Sequence, residues 1–241
     1  MFEIVPDYYF QFKCIADKCR HTCCAGWEID IDDESLLRYR KDGIKHISDG
    51  ETPHFILDEN ERCPYLNENN LCELIIDRGE DYLCQICTDH PKFRNYWENI
   101  TETGLGLCCE SAAELILLRK TPMKLVRIDN TDIDDAVLAL PDDEKYLWDI
   151  RNGLLKRAES MENPMEARLC EYLVFRHIPD ALYDGLIEER TALVNRLFND
   201  ITSMWDKEES VEGKIEIARA FCEDVEYDTD KIRDFLQSFK R

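Results

Sequence analysis

The chain has 241 residues, with 52 acidic against 30 basic groups and a formal net charge of −22. Acidity of that size, spread along the chain instead of gathered in a tail, disfavours nucleic acid and anionic membranes as partners. No stretch approaches the roughly eighteen consecutive apolar residues of a membrane-spanning helix, so membrane insertion is not expected.

The opening Met1-Phe2-Glu3-Ile4-Val5-Pro6 has neither the basic nor the apolar region of an export signal, which predicts a cytoplasmic protein in a reducing setting. Trp27-Glu28-Ile29-Asp30-Ile31-Asp32 alternates apolar and polar residues and reads as a short half-exposed strand. Asp32 and Asp33 then look like caps for a helix through Leu36, Leu37 and Tyr39, stopped by Gly43. Asn67-Glu68-Asn69-Asn70 is a turn by composition, and it brings the flanking Cys63 and Cys72 together. A helix is expected from Ser111 to Lys120, ahead of Pro122.

Beyond this point the sequence reads as successive helices. One is opened by Pro141 and buries Leu147, Ile150 and Leu154. A second is opened by Pro164, runs through Leu169, Leu173 and Phe175, and ends before Pro179. Asp180 to Trp205 reads as one long amphipathic helix with Leu186, Leu193, Leu197, Ile201 and Met204 on its buried side. After a polar loop at Asp206–Gly213, shorter helices follow around Ile215–Phe221 and Thr229–Phe239, the last capped by Thr229. The fold class expected is mainly α. An irregular cysteine-rich metal-binding module with short helices (1–120) packs on a C-terminal helical bundle (121–241).

The cysteines carry the chemistry. There are 12, and ten fall between Cys14 and Cys109, in the pattern Cys14-x4-Cys19-x3-Cys23-Cys24, Cys63-x8-Cys72-x11-Cys84-x2-Cys87 and Cys108-Cys109. In a reducing compartment such clustering points to metal, not to a disulfide framework. Thiolates are soft ligands suited to zinc, copper(I) and iron–sulfur clusters. Pairs two or three residues apart let one turn of backbone aim two sulfurs at one centre, as in Cys84-x2-Cys87 and Cys19-x3-Cys23. His21, His46, His54 and His90 form no HxxxH pair and only one CxxC exists, so a finger-type zinc site fits less well than an iron–sulfur cluster. His21 and His90 read as surface or cap residues. The candidate ligands are Cys14, Cys19, Cys23, Cys24, Cys63, Cys72, Cys84, Cys87 and one of the adjacent pair Cys108-Cys109, the other of the pair being a bystander. Cys170 and Cys222 are core thiols on apolar helix faces.

Several of these segments resemble one family. Phe12-Lys13-Cys14-Ile15, then Cys19-Arg20-His21-Thr22-Cys23-Cys24-Ala25-Gly26-Trp27-Glu28-Ile29, are similar to the opening of the flagellin lysine N-methylase (FliB) family. So are Cys63-Pro64-Tyr65-Leu66, Leu71-Cys72-Glu73-Leu74 and Leu83-Cys84-Gln85-Ile86-Cys87. His90-Pro91-Lys92 stands where the family shows Tyr-Pro-Arg, and Leu107-Cys108-Cys109-Glu110-Ser111-Ala112-Ala113 where it shows Leu-Ser-Cys-Pro-Glu-Ala-Ala, which puts the family cysteine on Cys109. Tyr172-Leu173-Val174-Phe175-Arg176-His177 resembles its aromatic-rich helix. Three departures are His21 in place of an acidic residue, Glu110-Ser111 in place of Pro-Glu, and a shorter chain.

The resemblance implies methylation of lysine side chains on a protein substrate, flagellin, with S-adenosylmethionine as donor and a 4Fe–4S iron–sulfur cluster. Zinc is the alternative metal. Methyl transfer needs a neutral lysine amine aligned with the sulfonium methyl, which Tyr8, Tyr9, Asp30 or Asp32 could assist. The chain has no GxGxxG loop for a Rossmann-type donor site. The competing readings are a non-catalytic zinc- or iron-binding module for metal sensing or scaffolding, and an electron-transfer protein.

Overall fold

A computed structural model describes residues 1–129 and 131–239. Two compact units result: residues 14–90 form one, and residues 1–13 with 91 onward form the other. The sequence reading sets a domain boundary at 120, whereas the chain passes between units at residues 13 and 90. The reason is a sheet that the sequence reading did not foresee. Its four strands are β1 (Phe2–Pro6), β2 (Lys92–Tyr96), β3 (Ile100–Leu105) and β4 (Leu125–Arg127), in the order β2-β3-β1-β4. β1 runs parallel to β3, with Phe2 opposite Ile100, and antiparallel to β4, with Ile4 opposite Arg127. Residues 1–13 and 91–120 therefore belong with the helices that follow, and Cys108 and Cys109 go with them.

In this larger unit the helices are α4 (Glu110–Leu117), α5 (Asp134–Leu138), α6 (Asp142–Glu159), α7 (Pro164–His177), α8 (Ala181–Asp184), α9 (Ile187–Trp205), α10 (Val211–Glu226) and α11 (Thr229–Ser238). Pro141 is the residue before α6 and not its first, while Pro164 does open α7 behind the cap Asn163. The helix expected over 180–205 is broken. Gly185 adopts a left-handed φ of 69°, and the Asp184 carboxylate accepts from the Leu186 amide, which turns the chain between α8 and α9. α10 starts earlier than expected because Ser210 caps it through the Gly213 amide, so the polar loop is shorter. The Thr229 side chain, expected as the cap of α11, lies outside the described residues. The carboxylate of Asp228 accepts from the amides of Asp230 and Lys231 there.

One apolar core runs through this unit, from Ile4, Ile100 and Leu105 of the sheet to Leu169, Leu173 and Phe175 of α7 and Leu193 and Ile201 of α9. Cys222 is buried in it and Cys170 packs against it half-buried, as expected of core thiols.

The smaller unit holds α1 (Asp33–Asp42), α2 (Glu73–Arg78) and α3 (Gln85–Asp89), joined by irregular chain. α1 matches its expected span, with Asp32 as cap and Gly43 at φ 74° as stop. Residues 27–32 do not form a strand. They contribute single bridges, Asp30 opposite His54 and, just upstream, Ala25 opposite Arg62. The core is small: Ile29, Ile31, Leu36, Tyr39, Phe55 and Leu74, joined by Cys63 and Cys84.

Candidate metal centre

Six of the predicted ligands occupy one neighbourhood of the smaller unit. Short elements present them. The turn at Asn67–Asn70 closes as expected, with the Asn67 side chain accepting from the amides of Asn69 and Leu71. It brings Cys72 back beside Leu66, three residues from Cys63. The Cys63 amide donates to the Cys24 carbonyl at 2.7 Å, which joins the Cys23-Cys24 doublet to Cys63. Trp27 fixes the other side of the doublet, its Nε1 donating to the Cys23 carbonyl at 3.0 Å. Cys72 and Cys84 stand immediately before α2 and α3, where helix amides are unpaired and favour a thiolate.

The electrostatics tie these thiols together. Cys63 feels the charges of Cys72, Cys84 and Cys23, and Cys72 those of Cys23 and Cys84. Cys87 feels Cys84, Cys24 and Cys63. Burial pushes the Cys63 thiol up to about 11 and raises Cys72, while hydrogen bonding to Cys24 and burial raise Cys23. Cys84 is the exception. Its sulfur lies 3.5 Å from that of Cys87, and the hydrogen the two share lowers the Cys84 thiol while raising Cys87. Cys84 is thus the more readily ionised thiol of the pair, while burial keeps Cys63 and Cys72 protonated.

A second layer positions Cys84. The Asp32 carboxylate accepts from the Ser35 amide at 2.9 Å, capping α1, and with its other oxygen from the Gln85 amide at 2.8 Å. Burial opposes its charge, but the two amides outweigh burial and hold Asp32 below the usual carboxylate range. Arg38 donates to the carbonyls of Tyr82 and Leu83, both at 3.1 Å, just ahead of Cys84.

All twelve cysteines are free thiols. Among the described residues, no three thiols lie with all sulfurs within 4.8 Å of one another. The soft thiol donors suit either zinc or an iron–sulfur cluster.

The other predicted ligands are placed differently. Cys14 is exposed, its sulfur accepting from the Ala16 amide at 3.4 Å, and Cys19 follows a short turn at Ala16–Lys18. Cys109 lies in the larger unit, at the start of α4, next to the buried Cys108. Of the residues considered for lysine deprotonation, Tyr8 is buried in the larger unit, where desolvation raises its phenol and Arg119 stacks 4.4 Å from its ring. Tyr9 packs edge-on against Phe10. Asp32 is occupied with the two amides, and Asp30 sits beside Glu28 and His54.

Two polar centres of the larger unit escaped the sequence reading. Glu102, fully buried, accepts from Arg151, from Trp97 Nε1 at 3.0 Å and from Asn95 at 3.3 Å. Arg151, also fully buried, lies 4.0 Å over the Trp148 ring. The second centre joins the Tyr172 hydroxyl, 2.7 Å from Glu226, with His177 at 3.5 Å and Arg176 at 3.7 Å. The one available signal was position: Arg151 follows Leu147 by four residues, on the buried face of α6.

With the geometry in hand, comparison with known proteins gives one consistent answer. The lysine-N-methylase of Salmonella typhimurium (strain LT2) is 25% identical over 212 residues, which cover 80% of this chain and 53% of that protein. This chain resembles lysine-N-methylases. The lysine-N-methylase of Salmonella choleraesuis matches to the same extent. The flagellar biosynthetic protein FliU of Salmonella muenchen is 27% identical over 128 residues, 46% of this chain and 75% of that protein. The chain spans about half the length of the two lysine-N-methylases. No family model and no solved structure matches it. The resemblance carried by the cysteine motifs is borne out. Among the described residues, no helix is long and apolar enough to cross a membrane.

Proposed function

We propose that this chain takes part in S-adenosylmethionine-dependent methylation of protein lysines, with flagellin as the substrate class, and that thiols of residues 14–90 hold a 4Fe–4S cluster. The 212-residue match to lysine-N-methylases carries the reading of the activity. The neighbourhood of Cys23, Cys24, Cys63, Cys72, Cys84 and Cys87 supports the reading of the cofactor. When bound, a cluster of this kind supplies one-electron chemistry or an open iron position.

The chain's own residues have definable tasks in this scheme. Cys84 is the thiol of its pair that ionises more readily, which favours it as a ligand. Cys63 and Cys72 must release protons on loading, so uptake of metal is favoured by rising pH. The net charge of −22 attracts a lysine-bearing segment. In the transfer itself a neutral lysine Nζ attacks the methyl carbon, the sulfonium S–C bond breaks with its electrons staying on sulfur, and the amine proton passes to a base. That places the reaction at neutral or mildly basic pH, in the cytoplasm where the donor is made.

The test has two stages. Anaerobic reconstitution with iron and sulfide should give the broad visible absorption of a cluster, lost in a Cys84→Ser/Cys87→Ser variant. The reconstituted protein, incubated with S-adenosylmethionine and flagellin, should then add methyl mass to lysines of the substrate. A second reading rests on the gathering of thiols in one compact unit, residues 14–90: a metal-binding module with no transferase activity of its own. Cluster uptake without any methyl gain would select it, and absence of uptake would reject the cluster in both readings.

A further inference from the structure

The smaller unit carries a second group of ligand atoms, of different chemistry from the thiols. Asp30 and His54 face each other across a single antiparallel bridge. The flanking bonds, Ile31 amide to Pro53 carbonyl at 2.7 Å and Phe55 amide to Ile29 carbonyl at 3.1 Å, make them a non-hydrogen-bonded pair, the type with the closest side chains. Glu28 lies two residues before Asp30 and so shares its face. The intervening Ile29 and Ile31, with Phe55, are buried and hold the opposite face in the core. One ligand atom from each of Glu28, Asp30 and His54 falls within 4.8 Å of the other two.

The histidine ring is oriented from behind. Its Nδ1 lies 3.0 Å from the Thr52 carbonyl oxygen, which can only accept, and 3.1 Å from Ser48 Oγ. Ser48 Oγ also accepts from the His54 amide at 3.0 Å, locking the turn. The neutral ring therefore carries its hydrogen on Nδ1 and offers a bare Nε2, 3.6 Å from Glu28 Oε2. A lone pair facing carboxylates is unfavourable unless a proton or a metal cation lies between them. A backbone carbonyl behind the ring is the usual support of a metal-binding histidine.

We propose that Glu28, Asp30 and His54 bind one divalent cation of hard to borderline character, such as Mn²⁺, independently of the thiols. One imidazole and two carboxylates suit such an ion and leave positions for water. The ion pins segment 28–30 to His54, between Cys24 and Cys63, and so braces the thiol-bearing chain.

The experiment titrates the full chain with Mn²⁺ and follows the free ion by electron paramagnetic resonance. Wild type should take up one equivalent more than the His54→Ala variant, or bind that equivalent at least about tenfold more tightly. Asp30→Asn and Glu28→Gln should each weaken it as well, with the free-thiol count unchanged in every variant. Mn²⁺ should also selectively broaden the His54 ring resonances. Equal uptake by wild type and His54→Ala would show adventitious binding to the acidic surface. A His54 ring that stays sharp and titrates as an imidazolium paired with Glu28 would show that the occupant is a proton. Either result overturns the proposal. Neither bears on cluster uptake or methyl transfer, which are read separately.

Discussion

The two units keep their shape by different means. The larger one buries aliphatic and aromatic side chains from a sheet and several helices in one continuous core, and can also enclose complete ion pairs such as Arg151–Glu102. The smaller one has three short helices and a handful of buried apolar residues, two of which are the cysteines Cys63 and Cys84. A chain of that size buries a modest fraction of its surface and leaves little net stability from apolar contact alone. On the proposed reading, a metal held by thiols in so small a core would contribute directly to folding.

The largest predicted effect follows from that contrast. Metal binding by a structural thiolate site contributes on the order of 10 kcal/mol, more than the small core can replace. Stripping the reconstituted protein with a chelator under reducing conditions should therefore open residues 14–90 to protease while residues 91–239 stay protected. Limited proteolysis with mass mapping reads the outcome. Equal protection of both units after complete metal removal would mean that the small apolar core suffices.

The reverse experiment damages the larger unit alone. Arg151→Leu leaves the Glu102 carboxylate buried without its cationic partner, a change that costs about 3–5 kcal/mol. The thermal midpoint should fall steeply while metal content stays at the wild-type level. Arg151→Met combined with Glu102→Leu should recover much of the loss, since no charge is then stranded. A milder break uses Gly104, where an added Cβ would meet the Phe93 ring and come within 2.8 Å of Phe175. Gly104→Ala should cost about 1–3 kcal/mol by overpacking, measured by chemical denaturation, again with metal content unchanged.

How much of this was legible in sequence differs between the units for the same reason. The helices of the larger unit announce themselves through 3.6-residue periodicity and their opening prolines, as with Pro164. Its sheet does not, because strands such as Lys92–Tyr96 are short and mixed in polarity and β1 pairs with chain about a hundred residues away. The buried pair Glu102–Arg151 was hidden because a charged residue on an apolar face breaks the pattern that identifies the face. In the smaller unit the cysteine spacing pointed to metal, and the Asn67–Asn70 turn correctly joined Cys63 to Cys72. What spacing could not reveal is that Cys109 folds with the other unit. The alternation over residues 27–32 did place Glu28 and Asp30 on one face, but only the bridge to His54 turns that face into a set of ligands.

The smallest effect tests the link between helix capping and thiol chemistry. Asp32 caps α1 and at the same time holds the Gln85 amide beside Cys84. Asp32→Ala should cost about 1 kcal/mol as a lost cap, and amide exchange at Gln85 should quicken along with that at Ser35. The pH dependence has a definite sign. The folded state lowers the Asp32 carboxyl below its unfolded value of about 3.9. Its contribution is therefore complete above that value and is lost as pH falls through the lower, folded one. The stability gap between wild type and Asp32→Ala should be constant from pH 7 to pH 5 and close as pH drops below about 4. A gap that persists undiminished in acid would mean that the Asp32 oxygens hold these amides without their charge. The lowered carboxyl would then have no part in presenting Cys84.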